Sequence, residues 1–250
     1  QALVARVQDR KIVTYGLSPQ ADIRAINIEP KTDGTRFDVV VSDRKKGITR
    51  TIENFFLSVI GIHNVQNSLA AISVGLQLGV KDAVLQTTLS KFESVKRRFT
   101  RTGVVKGITI VDDYGHHPVE IAATLKAAQQ AKGEKGRIIA VMQPHRYSRL
   151  SSLFNDFCKT FNDADTVIIA DVYPAGEQPI EGANRDALVE GLRAHGHRDV
   201  YALKDPVELA PMIAEIAKEG DYVICLGAGS ISTWAYTLPA ELESIFAKGK

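Results

Sequence analysis

Cysteine is scarce in this chain: only Cys158 and Cys225 occur, each inside a stretch that reads as regular structure, which argues against a disulfide framework and against a thiolate metal site. An excess of one charge is lacking as well. Thirty-one Lys and Arg stand against 29 Asp and Glu, for a net charge of +2, and without a long basic run nothing calls for nucleic acid or an anionic membrane surface. No apolar run reaches the length of a membrane span, and the first residues lack the basic-then-apolar layout of a signal peptide. A reducing cytoplasm without membrane insertion is the expected setting. A phosphate loop of the form G-x-x-x-x-G-K-[ST] is also missing from these 250 residues, so any nucleotide chemistry has to be argued from other features.

Against those absences, Val111-Asp112-Asp113-Tyr114-Gly115-His116-His117-Pro118 stands out. An apolar strand pattern gives way to two carboxylates, a phenol and two imidazoles, then to a proline suited to the first turn of a helix. Val119 to Lys132 continues with apolar residues at helical spacing, so the polar cluster is predicted on a strand-to-helix turn. Such turns lie at the carboxyl ends of strands in open α/β sheets, where ligands gather and helix N-termini favour anions.

The period of the pattern divides the chain, and 250 residues suit two modest domains. Lys11 to Gly16, Phe37 to Val41 and Phe55 to Ile60 read as strands, with turns at Asp33-Gly34 and Lys46-Gly47, and predict antiparallel or mixed sheet. From His63, the residues Val65, Leu69, Ile72 and Leu76 mark one face of a helix ending near Gly79, followed by another over about Asp82 to Phe92. Beyond Arg97-Arg98-Phe99, strands at Thr109–Asp112, Arg137–Met142, Thr166–Ala170, Val200–Leu203 and Tyr222–Leu226 alternate with helices near Val119–Lys132, Leu150–Phe161, Asn184–Ala194 and Pro206–Lys218. Alternation at this pitch means βαβ units in a mainly parallel, Rossmann-like sheet flanked by helices. The boundary is expected close to Thr100, giving domains 1–99 and 100–250.

The strand ends share a kind of content: Gln143-Pro144-His145-Arg146-Tyr147-Ser148-Arg149, Asp171-Val172-Tyr173-Pro174-Ala175-Gly176-Glu177 and Gly227-Ala228-Gly229-Ser230. Together with the segment at 112–118 they would line one rim able to hold a charged ligand. Each has a plainer explanation. The glycines at 227 and 229 lack the third glycine and downstream acidic residue of a dinucleotide site, so a tight strand-to-helix turn is the simpler reading. Arg146 and Arg149 could be solvated residues of a helix start. His116, His117 and His145 with Asp112 and Asp113 admit a metal-dependent hydrolase, although the two-His helical spacing is absent and neighbouring histidines in a turn rarely chelate together. Asn64 and Asn67, three apart at a helix start, point to one side and suit the edge of a purine; a capping role would explain Asn64 but not the pair.

His63-Asn64-Val65-Gln66-Asn67-Ser68-Leu69-Ala70-Ala71, Arg97-Arg98-Phe99, Asp112 to Pro118 and His145-Arg146-Tyr147-Ser148-Arg149 occur in the order found in the Mur ligases of peptidoglycan synthesis. Four spaced motifs covering essentially the whole chain make the resemblance specific. It implies the latter part of a mixed-sheet ATP-binding central domain followed by a complete C-terminal ligase domain. The UDP-sugar domain and Gly-Lys-Thr phosphate loop of the family are not among these residues, so this chain alone is expected to be inactive.

The resemblance further implies ATP and Mg²⁺ as cofactors, UDP-N-acetylmuramate and L-alanine as substrates, and an acyl phosphate between them. In that reading Asn64 and Asn67 meet adenine, Arg98 the phosphates and Asp113 the ribose. His117, with His116 and Tyr114, faces the reacting carboxylate or incoming amino acid, while His145, Arg146 and Arg149 take the alanine and acyl-phosphate side. Planar Arg can grip carboxylate or phosphate bidentately, which supports the last assignment. Metal ligands are expected in the upstream region, and a hinge near Val95–Thr102 would join the domains. A Mur-type ligase that recycles murein tripeptide stays open as an alternative.

Overall fold

A computed structural model describes residues 10–44, 46–93 and 95–248. They form two compact units, Gln1–Glu93 and Ser94–Lys250. The division falls before Thr100 because the Arg97–Phe99 turn is fastened into the second unit: Tyr114 N donates to Arg97 O at 2.7 Å, and Phe99 N donates to Asp113 Oδ2 at 2.8 Å. From Arg97 onward, the segment expected to act as a hinge belongs to the second unit.

The first unit is a four-stranded mixed sheet with two helices. Strands β1 (Tyr15–Gly16), β2 (Ile23–Lys31), β3 (Gly34–Asp43) and β4 (Ile48–Leu57) lie in that order; β1 runs parallel to β2, and the others form an antiparallel meander. Alternation along β3 puts Phe37 and Val39 inward, against Phe55 and Leu57 of β4. The Phe37 and Phe55 rings stack at 5.6 Å, worth about 1 kcal/mol beyond area burial. Helix α1 (Ile62–Gln77) covers that face with Val65, Leu69 and Ile72, and α2 (Asp82–Ser90) follows with Leu89.

Two differences from the sequence reading have clear causes. The strand over Ile23–Lys31 was masked by Asn27 and Pro30. Asn27 takes a positive φ of 51° beside a register shift, and Pro30 needs no outer partner because β1 covers only Ile23 and Arg24. The strand expected at Phe55–Ile60 instead spans Ile48–Leu57, so polar Thr49, Arg50 and Thr51 lie on an exposed stretch of a strand rather than in a loop.

The second unit is a six-stranded sheet in the order β5-β6-β10-β7-β8-β9, made of β5 (Thr100–Val105), β6 (Ile108–Asp113), β7 (Ile138–Met142), β8 (Thr166–Ile169), β9 (Val200–Ala202) and β10 (Tyr222–Leu226). All pairs are parallel except the β5–β6 hairpin. Strand β5 was not anticipated, because Thr-Arg-Thr-Gly-Val-Val has no apolar run and sits at the sheet edge. The central strands are buried throughout and read as continuous apolar runs, as a doubly covered parallel sheet requires.

One face is covered by α3 (Pro118–Ala131), α4 (Tyr147–Ser152), α5 (Phe154–Cys158) and α6 (Arg185–Ala194), with Ile121, Leu125, Leu150, Phe157 and Leu188 in its core. The other carries α7 (Leu209–Ile216) and α8 (Ile231–Lys248), through Leu209, Ile213, Ile231, Ala235 and Leu238. The helix expected over Leu150–Phe161 is broken at Leu153, where φ −118° and ψ 20° leave the helical region. Pro239 interrupts the pattern of α8 from within. Among the described residues no helix is long and apolar enough to cross a membrane.

Candidate functional site

Register brings the predicted rim together. Asp113 pairs with Leu226, Leu226 with Met142, Met142 with Ile169, and Ile169 with Ala202. Five parallel strands therefore end level, and the polar segments that follow them emerge side by side, where ligands gather in open α/β sheets.

Aromatic rings chain across this rim. Tyr114 meets His116 edge to face at 5.1 Å, His116 lies 5.7 Å from His145, and His145 stacks on Tyr173 at 5.4 Å with an interplanar angle of 11°. The Arg97 guanidinium lies 4.8 Å and that of Arg98 5.7 Å from the Tyr114 ring centre, within cation–π range. The sequence reading quoted Tyr173 only as part of a loop, and it gave a role to Arg98 but none to Arg97. Nothing in their local spacing distinguishes them; their roles follow from strand order.

Hydrogen bonds fix which imidazole nitrogens are available. Arg149 Nη1 lies 3.2 Å from His145 Nδ1 and donates to His145 O at 2.8 Å. A guanidinium cannot accept, so His145 Nδ1 is the acceptor and Nε2 carries the proton. Burial lowers the His145 pKa below its ordinary 6.5, and His116, Arg149 and Arg146 push it the same way, against a smaller opposing pull from Glu177. His116 Nδ1 lies 2.9 Å from Tyr114 O; a carbonyl only accepts, so Nδ1 donates and Nε2 is left for a ligand.

Arg146 sits at the start of α4 with φ 74° and ψ 132°, a conformation costing a non-glycine residue about 1–3 kcal/mol. It is held there by Arg146 N donating to Tyr173 O at 2.9 Å and by Glu177 Oε1, 3.5 Å from its Nη1. Glu177 also accepts from Ser148 N at 2.9 Å and Ser148 Oγ at 2.7 Å; those bonds, with the Arg146 charge, draw its carboxyl below the usual range. Its capping role was not foreseen, since it comes from a loop 29 residues away.

His117 has a structural task. It caps α3, with Val119 N donating to its Nδ1 at 3.4 Å, while Glu120 Oε2 accepts from His116 N at 3.1 Å and His117 N at 3.3 Å. This reciprocal arrangement satisfies the open N–H groups of the helix start. Asp113 is nearly buried, at 4% exposure. Its Oδ1 accepts from Gly115 N and Thr124 Oγ1, and its Oδ2 from Phe99 N. Burial pushes its carboxyl up, and these bonds together with Arg98 oppose the rise.

The glycines of the last turn have steric reasons. A Cβ on Gly229 would fall 2.4 Å from Gln143 Oε1 and 2.7 Å from the Tyr173 ring, and Gly227 has φ 153°. A cleft of about 230 Å³ opens beside this turn, lined in part by Gln143, Asp171, Tyr173, Lys204, Ser230 and Trp234. Among the described residues no group of three or more His, Cys, Asp or Glu is placed to hold a metal ion, which leaves the hydrolase alternative without a ligand set.

The expected amide pair lies in the first unit. Gly61 with φ 98° is the N-cap of α1, not Asn64. Asn64 Nδ2 donates to Ile60 O at 2.8 Å, leaving Oδ1, while Asn67 on the same side is exposed.

Residues 2–75 match the Mur ligase middle domain, and residues 97–229 match the Mur ligase glutamate ligase domain. The UDP-N-acetylmuramate–L-alanine ligase of Rhodospirillum centenum is 60% identical over 245 residues, which cover 98% of this chain and 50% of that protein. The chain thus spans about half the length of the curated relatives it matches. Among solved structures, a UDP-N-acetylmuramate–alanine ligase from Thermotoga maritima has a TM-score of 0.73 at 24% identity, covering 95% of this chain and 48% of that one. A MurF ligase from the same organism, in complex with ADP, has a TM-score of 0.66 at 18% identity over 93% of this chain and 49% of that one; both likenesses speak to the fold. With two domain families matched in order and the second covering more than half of its residues, this chain belongs to the Mur ligase family.

Proposed function

We propose that this chain supplies the latter part of the ATP-binding central domain, up to Glu93, and the C-terminal domain, which includes Arg97–Phe99, of a cytoplasmic enzyme that joins L-alanine to UDP-N-acetylmuramate in peptidoglycan precursor synthesis. One observation carries the reading: the level strand ends put His116 5.7 Å from His145, next to Arg146 and Arg149. Its support from relatives is the 60% identity to an enzyme named for that reaction.

The chemistry runs in two steps. The lactyl carboxylate attacks the γ-phosphorus of ATP, ADP leaves, and an acyl phosphate forms. The amine of alanine then attacks the acyl carbon, phosphate leaves with the bonding pair, and the amine loses a proton. Such a path needs alignment and charge neutralisation more than a protein nucleophile. Arg146 and Arg149 are assigned to the alanine carboxylate or acyl phosphate, with His145 Nε2–H as a further donor. His116 Nε2 is assigned to the amine proton. Tyr114 and the helix start capped by His117 border the reacting carboxylate.

Asn64 Oδ1 and the free Asn67 amide are assigned to adenine, and Arg98 to phosphate. Asp113 has three of its roughly four acceptor positions occupied, leaving one for a ribose hydroxyl. Mg²⁺, when bound, would neutralise charge on the nucleotide phosphates; among the described residues no group of three or more His, Cys, Asp or Glu is placed to hold it.

The test uses this chain continued to the length of its relatives. Phosphate release is measured with ATP, UDP-N-acetylmuramate and, separately, L-alanine, glycine, L-serine and murein tripeptide. Turnover with L-alanine is expected. Turnover with tripeptide alone would assign the chain to recycling, and Arg146→Ala with unchanged turnover would leave a nucleotide-binding module without this catalytic rim.

A further inference from the structure

The rim contains a charged pair that the two-step reaction leaves without a task. Asp112, next to last in β6, is fully buried. Ser232 Oγ donates to its Oδ2 at 2.7 Å, and Arg97 Nε stands 3.7 Å from the same oxygen. Arg97 Nε and Asp112 Oδ1 are both buried, and neither has a hydrogen-bond partner. An incompletely bonded buried ion pair is a poor stabiliser, and apolar residues of similar size commonly do as well or better. A purely architectural account therefore fits this pair badly.

What Arg97 does here is geometric. Its Nη2 donates to Gly227 O at 2.6 Å, at the end of β10. Its guanidinium lies over the Tyr114 ring, and its carbonyl accepts from Tyr114 N. Arg97 and Phe99 both take positive φ, 63° and 52°, so Arg98 sits at the apex of a turn held on one side by Arg97 and on the other by the Phe99–Asp113 bond. Strained backbone of this kind persists only where its surroundings over-determine it.

We propose that Asp112, backed by Ser232, is a positioning residue that holds the Arg97 guanidinium across the ends of β6 and β10, and through it fixes the Tyr114 ring and the turn bearing Arg98. The catalytic consequence rests on the ligase reading; the geometric claim does not. Lysine is no substitute for Arg97, because a single ammonium cannot reach Gly227 O and Asp112 while also covering the ring.

The experiment compares Asp112→Asn and the milder Ser232→Ala with the unaltered protein, at the full length of its relatives. Hydrogen exchange at Arg97 Nε–H is followed by NMR, and steady-state kinetics are measured with ATP, UDP-N-acetylmuramate and L-alanine. Asp112→Asn is expected to speed that exchange and lower kcat, each by about tenfold or more, as the loss of the buried charge opposite Arg97 implies. The KM for ATP should rise too, but by less than kcat falls, since the turn bearing Arg98 is disturbed while the adenine contacts are untouched. Ser232→Ala, which deletes one hydroxyl, should move both readouts the same way by less.

Unchanged exchange in both variants overturns the proposal whatever happens to kcat. A kcat loss that disappears when rates are normalised to folded protein also overturns it. If the unaltered protein makes no amide, the ligase reading has failed, and exchange at Arg97 alone decides the positioning claim.

Discussion

The two edges of the six-stranded sheet are built from similar residue types but organised differently. Where β7 and β10 begin, Asp221 is almost fully buried and accepts from Arg137 N at 2.9 Å, Arg137 Nη2 at 2.7 Å and Lys218 N at 2.9 Å. Burial pushes its carboxyl up, but those bonds and the Arg137 charge outweigh it and leave the pKa below the usual range. Close by, Asp165 accepts from Ile138 N at 2.8 Å. A positive φ at Lys106 belongs to the β5–β6 hairpin with Gly107, where tight turns call for it. One orphan, His197 Nδ1, lies toward this edge.

The opposite edge leaves its groups open. Arg97 Nε and Asp112 Oδ1 have no hydrogen-bond partner, Arg97, Phe99, Arg146 and Ala175 take positive φ outside any short hairpin, and the rings of His116 and His145 lie 5.7 Å apart. The same sheet thus has a starting edge that closes its polar groups for stability and a finishing edge that keeps them available at an energetic cost. Strain and open valence concentrate where a ligand can satisfy them.

Exchanging roles between the edges tests that contrast. The largest effect is expected from Arg146→Ala, which, in the proposed enzyme at the full length of its relatives, should lower kcat/KM for amide formation roughly 10²–10³-fold, as for other lost transition-state charge contacts, while the urea midpoint of unfolding stays put. Asp221→Ala should do the reverse. Removing the acceptor of three donors should cost about 2–4 kcal/mol, at the lower end if Arg137 recovers solvent, with kcat per folded molecule unchanged. A fall in kcat equal to that of Arg146→Ala would erase the distinction.

The smallest effect concerns pH. Because the His145 pKa is lowered in the folded protein, the unfolded chain binds this proton more readily. The His145 contribution to stability is therefore complete above the ordinary value of about 6.5 and is lost as pH falls below it, levelling off beneath the folded-state pKa. His145→Gln should flatten that part of a urea-midpoint profile. An identical acid slope in both proteins would mean that another group carries it.

Much of the second unit was legible in sequence because buried parallel strands are continuous apolar runs and helices have their own period. The segment Ile138–Met142 is an example: its register with β10 and β8 could not be read, but its identity as a core strand could. The elements that escaped detection lack one of those signals. Strand β5 is too polar, β2 is interrupted by Asn27 and Pro30, and the helix after Ser230 is disguised by Pro239. At the site, residue types announced His116, His145, Arg146 and Arg149. The work of Arg97, Tyr173 and Glu177 depends on which strands are neighbours, a property of the whole sheet that no local window contains.

The common finishing line of β6, β10, β7, β8 and β9 has an evolutionary corollary. Side-chain direction alternates along a strand, so slipping one of these strands by a single residue would invert its core and carry its loop about 3.3 Å out of line. Change is tolerated far more easily in the loops themselves, whose anchoring points stay fixed while length and composition drift. A family descended from such a scaffold could exchange one amino-acid substrate for another by rewriting a few connections, without renegotiating the frame that aims them.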